Sequence, residues 1–119
     1  MQLKIDIYGA TINIDILESV EDCHSYIIEL NKNHNKDYEV IKFEGCVFPL
    51  VNRVYNLALL KPFINNNVIS HECYHLTSLI ADACDIEDEN YREARAYLNG
   101  YINEKVWEIV KLNLELSTI

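Results

Sequence analysis

The chain has 119 residues, half of them hydrophobic, and this length and composition predict one compact globular domain over residues 1–119. Ten Lys and Arg residues stand against nineteen Asp and Glu residues, which gives a formal net charge of −9. Such a charge repels phosphate backbones and anionic lipids, so we expect no direct nucleic-acid or membrane partner. The four cysteines include no Cys-x-x-Cys pair, and no segment reads as a signal peptide or a membrane span. We therefore expect a cytoplasmic protein with reduced thiols.

The first half of the chain predicts a sheet and one helix. Residues 3–16 alternate apolar and polar side chains on either side of Gly9, a pattern typical of a β-hairpin. Apolar residues at helical spacing predict a helix over residues 20–31. A third strand is predicted over residues 38–44, ended by Gly45. Residues 53–60 are apolar on both alternating faces, which predicts a fourth strand that is covered on both sides.

The second half of the chain predicts two helices. One of the three asparagines at residues 65–67 can cap a helix that continues to about residue 84, and a last helix is predicted from about residue 89 to about residue 114. Gly100 inside the last helix costs about 1 kcal/mol relative to Ala, so we expect another backbone to pack closely against it. The element order is typical of an α+β fold.

The segment His71-Glu72-Cys73-Tyr74-His75 carries the pattern His-Glu-x-x-His. Two imidazoles four residues apart lie on the same side of a helix, where both can bind one divalent metal ion. Glu72 lies near that ion and can act as a general base on a water molecule that the metal activates. Cys73 lies about 200° around the helix from His71, so we expect a buried core thiol rather than a ligand.

A zinc site for hydrolysis usually has three protein ligands, so the two histidines need a third partner. Glu89 and Glu93 in the last helix are the candidates, one helical turn apart. We prefer Glu93, because its distance from His75 lets a helix end, turn and return alongside itself, whereas Glu89 lies nearer the frayed first turn.

The two segments together resemble a known family. His71-Glu72-Cys73-Tyr74-His75, followed by Glu93-Ala94-Arg95-Ala96-Tyr97, looks like the gluzincin branch of zinc metallopeptidases. The motif and the later run at residues 96–102 are also similar to a group of small phage and prophage proteins of unestablished function. The resemblance covers residues 54–102. It implies a minimal zincin-like domain with about four strands, a backing helix, a motif helix and a C-terminal helix that supplies Glu93 as third zinc ligand beside His71 and His75.

The resemblance also implies a function. A zinc-dependent metallopeptidase would hydrolyse a peptide or protein substrate, with Glu72 as catalytic base. The developing oxyanion would need a further donor, for which Tyr97 and Tyr101 are conceivable although nothing in the sequence orients either. If the chain is phage-encoded, we expect this activity in the cytoplasm of a bacterial host. The alternative is a catalytically inactive, zinc-stabilised phage or bacterial protein that binds a protein partner through its acidic surface or an exposed strand edge.

Overall fold

The computed structural model of the protein describes residues 1–84 and 92–117. Within these residues the elements follow one another in the order β1 Gln2–Ile5, β2 Ala10–Leu17, α1 Glu21–His34, β3 Gly45–Pro49, β4 Val54–Leu60, α2 Asn66–Ala83 and α3 Arg92–Ser117. The α+β class and the predicted order of elements are confirmed. The expected start of the last helix, at about residue 89, lies outside the described residues.

The strands form one mixed sheet in the order β1-β2-β4-β3. β1 and β2 pair antiparallel, with Leu3 opposite Ile12, which confirms the predicted hairpin. β2 pairs in parallel with the whole of β4. β3 pairs antiparallel with β4 and has no second neighbour among the described strands, so it lies at one edge of the sheet.

The third strand lies later in the sequence than predicted. Residues 38–44 were expected to form it, but the strand is β3, Gly45–Pro49. The backbone of Tyr38 bonds instead with the side chain of Asn31, whose amide oxygen accepts from the Tyr38 N–H at 3.0 Å. The rings of Tyr38 and Phe43 pack edge-on against Phe48 of β3, at centroid distances of 5.3 and 5.8 Å. Pro49 can end this strand because an edge position does not require its missing N–H for a second neighbour.

The sheet is covered by helices on both faces. One face packs against α2 and α3, and its buried core includes Ile12, Ile14, Leu57 and Leu59 from the sheet with Ile69, Leu76, Ile80, Ile102 and Val106 from the helices. The other face packs against α1 through Ile27, Leu30, Phe48 and Ala58. Because neighbouring residues of β4 belong to the two different cores, the prediction of a strand covered on both sides is confirmed.

The two helices on the shared face contact each other. The Thr77 hydroxyl of α2 lies 3.0 Å from Asn99 Oδ1 of α3, and an ion pair joins Asp82 to Arg95 at 2.7 Å. The close backbone contact predicted at Gly100 is wrong, because a β-carbon at that position would meet nothing within 4 Å. Across residues 1–84 and 92–117, no helix combines the length and the apolar character needed to cross a membrane.

Candidate metal centre

The helix α2 presents its histidines outward because its opposite side is anchored in the core. Its first turn is capped by Asn65, whose side-chain oxygen accepts a hydrogen bond of 2.9 Å from the Val68 N–H. The fully buried side chains that follow at helical spacing are Ile69, Cys73, Leu76 and Ile80. The prediction that Cys73 is a core thiol is thus confirmed, and burial, followed by the charge of Glu72, raises the pKa of this thiol to about 12.

The side chains of the motif converge on one point. The Nε2 atoms of His71 and His75 lie 3.1 Å apart, and the His71 Nε2 atom lies 3.9 Å from Glu72 Oε1. One potential ligand atom from each of the three residues lies within 4.8 Å of the others. Within the residues that the structure describes, this is the one group of three or more His, Cys, Asp or Glu side chains close enough to hold a metal ion.

The spacing of the two imidazoles matches the coordination geometry of zinc. Two nitrogen ligands in a tetrahedral zinc site, each about 2.0–2.1 Å from the metal, are separated by about 3.3 Å. The observed separation between the Nε2 atoms of His71 and His75 is 3.1 Å. Two neutral imidazoles can also share one proton at this distance, so the same arrangement is that of a hydrogen bond.

Glu72 differs from the two histidines in its surroundings. Its side chain is 7% exposed, whereas the His71 side chain is 68% exposed. Burial raises the pKa of the Glu72 carboxyl above its ordinary value, although the nearby His71 and His75 side chains act in the opposite direction. A carboxylate with a raised pKa is a stronger base, so this burial suits proton transfer.

The motif lies in a groove between α2 and the edge strand β3. On one side of Glu72 is a depression of about 350 Å³, lined by Phe43, Glu44, Gly45, Asn67, Val68, His71 and Glu72. On the other side is one of about 330 Å³, lined by Cys46, Val47, Pro49, Glu72, His75, Ser78, Leu79 and Asp82. Because Glu72 borders both, the groove follows β3 with the histidine pair at its middle. An extended peptide can pair with a free strand edge of this kind.

Tyr97 and Tyr101 are not part of this groove. They line a separate depression of about 460 Å³ formed by residues 4–8 and the first half of α3. This depression is bordered by the β1 edge of the sheet, whereas the motif faces β3 at the opposite edge. The structure therefore gives no support to either tyrosine as a donor to an oxyanion beside the histidine pair.

The packing of α3 on α2 determines which residues of α3 can reach the histidines. At about 100° per residue, Thr77 lies about 160° around α2 from His75, so the contact between Thr77 and Asn99 is made on the side away from the pair. The contacts of Thr77 with Asn99 and of Asp82 with Arg95 also show that the helices run in opposite directions. His75 is therefore level with residues near 101.

The structure does not bring Glu93 to the histidine pair. Glu93 is exposed in the first turn of α3, level with the end of α2 and about 12 Å along the axis from His75, at 1.5 Å per residue. It also lies about 160° around α3 from Arg95, the side chain that contacts α2. Ligation of zinc by Glu93 stays a prediction that the described arrangement does not support. The other candidate, Glu89, lies outside the described residues.

Sequence reasoning overlooked the part that Gly45 plays in the site. The sequence predicts that the residue ends a strand, but it begins β3 and lies against Glu72. A glycine within a strand signals close approach of another element, and that signal was present in the sequence.

Comparison with known proteins finds no family model, no curated protein and no solved structure that matches this chain.

Proposed function

We propose that this protein is a zinc-dependent metallopeptidase in which His71 and His75 hold the metal ion and Glu72 is the general base. The observation that carries the proposal is the convergence of these three side chains within 4.8 Å in a groove beside a free strand edge. Imidazole nitrogens suit zinc, and a bound zinc ion would polarise a water molecule and a peptide carbonyl and lower the pKa of that water to about 7.

Glu72 performs the proton transfers. Its carboxylate takes a proton from the attacking water as the water oxygen bonds to the carbonyl carbon of the substrate. The same carboxyl then donates that proton to the amine nitrogen as the carbon–nitrogen bond breaks. The low exposure of Glu72 supports both steps, because burial raises the pKa of its carboxyl and so makes the carboxylate a stronger base.

The edge strand β3 orients the substrate. Its outer backbone groups can form a ladder with an extended peptide, which would then run along the groove past Glu72. Side chains of the peptide on either side of the cleaved bond would enter the two depressions that meet at Glu72. Because β3 has no second neighbour among the described strands, we propose an extended peptide or an unfolded protein segment as substrate.

We also propose that the protein acts in the cytoplasm. All four cysteines, Cys23, Cys46, Cys73 and Cys84, are free thiols, as expected in a reducing compartment. Burial raises the pKa of the Cys46 thiol to about 11, which disfavours oxidation of this thiol at neutral pH.

The test of the metallopeptidase proposal is Glu72→Gln. The matched control is Glu104→Gln, which changes an exposed carboxylate on α3. We expect metal analysis to show the same zinc content in both variants and in the wild type. Cleavage of a broad peptide library, followed by mass spectrometry, should fall by about 10²–10⁴-fold in Glu72→Gln alone. Wild-type protein with stoichiometric zinc that cleaves no member of the library would overturn the proposal.

A zinc-stabilised binding protein without catalysis is the second candidate, and one observation favours it. Within the described residues, the third group beside the two imidazoles is Glu72 itself. If the Glu72 carboxylate ligates the metal, no base remains beside it, and the β3 edge would bind a protein partner instead of a substrate. In that case Glu72→Gln weakens zinc binding, whereas in a peptidase it leaves zinc in place. A zinc titration of this variant therefore separates the two functions.

A further inference from the structure

Gly45 lies where β3 packs against α2, the helix that carries the motif. It pairs with Leu59 of β4, and the carbonyl oxygen of the preceding Glu44 accepts a hydrogen bond of 2.9 Å from the Leu60 N–H. Gly45 does not have a positive φ, unlike Gly9, so any residue could adopt its backbone conformation. The absence of a side chain at this position must therefore be explained by the neighbouring atoms that would contact one.

Three side chains occupy the space that a β-carbon at position 45 would need. Such an atom would lie 2.9 Å from Val68 Cγ1, 3.1 Å from Glu72 Cγ and 3.3 Å from Leu59 Cδ2. Carbon atoms in ordinary contact are about 3.5–4.0 Å apart, so an added methyl group cannot enter unless a neighbour moves.

Val68 is the nearest of the three neighbours, and its Cγ1 atom must give way if a β-carbon is added. Glu72 is the neighbour whose displacement reaches the site, because its carboxylate lies beside His71. Glu72 alone of the three borders both depressions of the groove. Its contact atom, Cγ, lies in the middle of the side chain, so any displacement there moves the carboxylate with it.

We propose that Gly45 is a positioning residue: its missing β-carbon lets the Glu72 side chain lie against β3 and so holds the Glu72 carboxylate beside His71 and His75. The effect on catalysis rests on the proposed function, whereas the effect on the position of Glu72 does not. A methyl group at position 45 pushes Glu72 out into the groove by a few tenths of an ångström or more. Neither histidine is among the three nearest neighbours of this position, so we expect both to keep their places.

The first test measures whether Gly45 and Glu72 are coupled. Gly45→Ala is made in the wild-type, Glu72→Ala and Val68→Ala backgrounds, and thermal unfolding is followed with a chelator present. Overpacking lowers the Tm of the Gly45→Ala protein by roughly 5–15 °C. We expect part of that loss, about 2 °C or more, to vanish in the Glu72→Ala background, where the Cγ atom is gone.

Gly100→Ala is the control, because it adds the same methyl group where nothing lies within 4 Å. Its effect on the Tm should be the same in all three backgrounds. If Gly45→Ala is relieved by Val68→Ala and not by Glu72→Ala, Gly45 serves only helix packing and the proposal is overturned. If Gly45→Ala does not fold by itself, recovery of folding in the Glu72→Ala background supports the proposal, and failure to recover there overturns it.

The second test measures catalysis in zinc-loaded protein. We expect Gly45→Ala to keep its zinc content, to lose about tenfold or more in kcat and to change KM by less than about twofold, because misplacing a catalytic group slows the chemical step. Gly100→Ala should retain wild-type kcat. An unchanged kcat with a raised KM would mean that Gly45 only shapes the groove, which overturns the positioning role. If the wild-type protein cleaves nothing, the proposed function fails, and the coupling measurement still decides whether Gly45 places Glu72.

Discussion

The substitution His71→Ala should separate the stability of the fold from the stability that zinc adds. The His71 side chain is 68% exposed, and its close neighbours are His75, whose ring centre lies 4.8 Å away, and Glu72. Removing an exposed side chain of this kind changes the free energy of unfolding by about 0.5 kcal/mol or less. Without zinc, the variant and the wild type should therefore unfold at nearly the same temperature.

Zinc should change this comparison. At a zinc concentration about 100 times the Kd, binding adds about 2.7 kcal/mol to the free energy of unfolding. A chain of 119 residues has an unfolding entropy of about 0.25 kcal/mol/K, so this stabilisation raises the Tm of the wild type by about 10 °C. His71→Ala removes one of the two imidazoles whose Nε2 atoms are 3.1 Å apart, and the increase should largely disappear.

Thermal scans with chelator and with added zinc measure both effects. His24→Ala is the matched control, because it removes an exposed histidine on α1. We expect the control to retain the full increase in Tm on zinc addition. An equal increase in His71→Ala and in the wild type would refute the assignment of the metal to the histidine pair. A lower Tm of the variant in the presence of chelator would refute the claim that His71 contributes little to the metal-free fold.

Three further predictions concern the neighbourhood of the motif helix. Thr77→Val removes a buried hydroxyl that donates to the Cys73 carbonyl at 2.8 Å, and urea denaturation should show a loss of about 1 kcal/mol; no loss would mean that this hydrogen bond contributes nothing net. Cys73 is fully buried and its pKa is raised to about 12, so alkylation at pH 8 should label it only in denaturant; labelling of the native protein at the rate of a free thiol would contradict its burial. Glu93→Ala should leave zinc affinity within about twofold of the wild type, because Glu93 points away from α2. Competition with a chromogenic chelator measures this affinity. A large loss would show that metal binding draws the first turn of α3 to the site.

The motif helix could be predicted from the sequence because everything that defines it is local. Asn65 caps the first turn, and the apolar period from Val68 onward determines which side of the helix is buried. That side in turn places His71 and His75 together on the outside. The same reasoning placed Cys73 in the core. Agreement of the capping, periodicity and motif spacing over one short segment made this part of the site predictable.

The edge strand was less predictable because two neighbouring segments compete for it. Residues 38–44 and β3 are both apolar enough to be strands, and Gly45 was interpreted as a boundary between strand and loop. The outcome depends on Phe48, which is buried against α1 and contacts the rings of Tyr38 and Phe43. The helix α1 lies well before Phe48 in the sequence, so strand propensity alone does not reveal this packing.

The position of Glu93 shows why a third ligand is harder to predict than a pair. The relative positions of His71 and His75 are set by the pitch of one helix. The position of Glu93 relative to them depends on where α3 packs along α2 and on which side of α2 it contacts. The contact between Thr77 and Asn99 places α3 on the side away from the histidines, and the ion pair between Asp82 and Arg95 places its start at the far end of α2. Neither constraint is encoded in the spacing between the motif and a later glutamate. The histidine pair lies instead on the side of α2 that borders the groove beside β3, together with Glu72, whose Cγ atom lies next to Gly45.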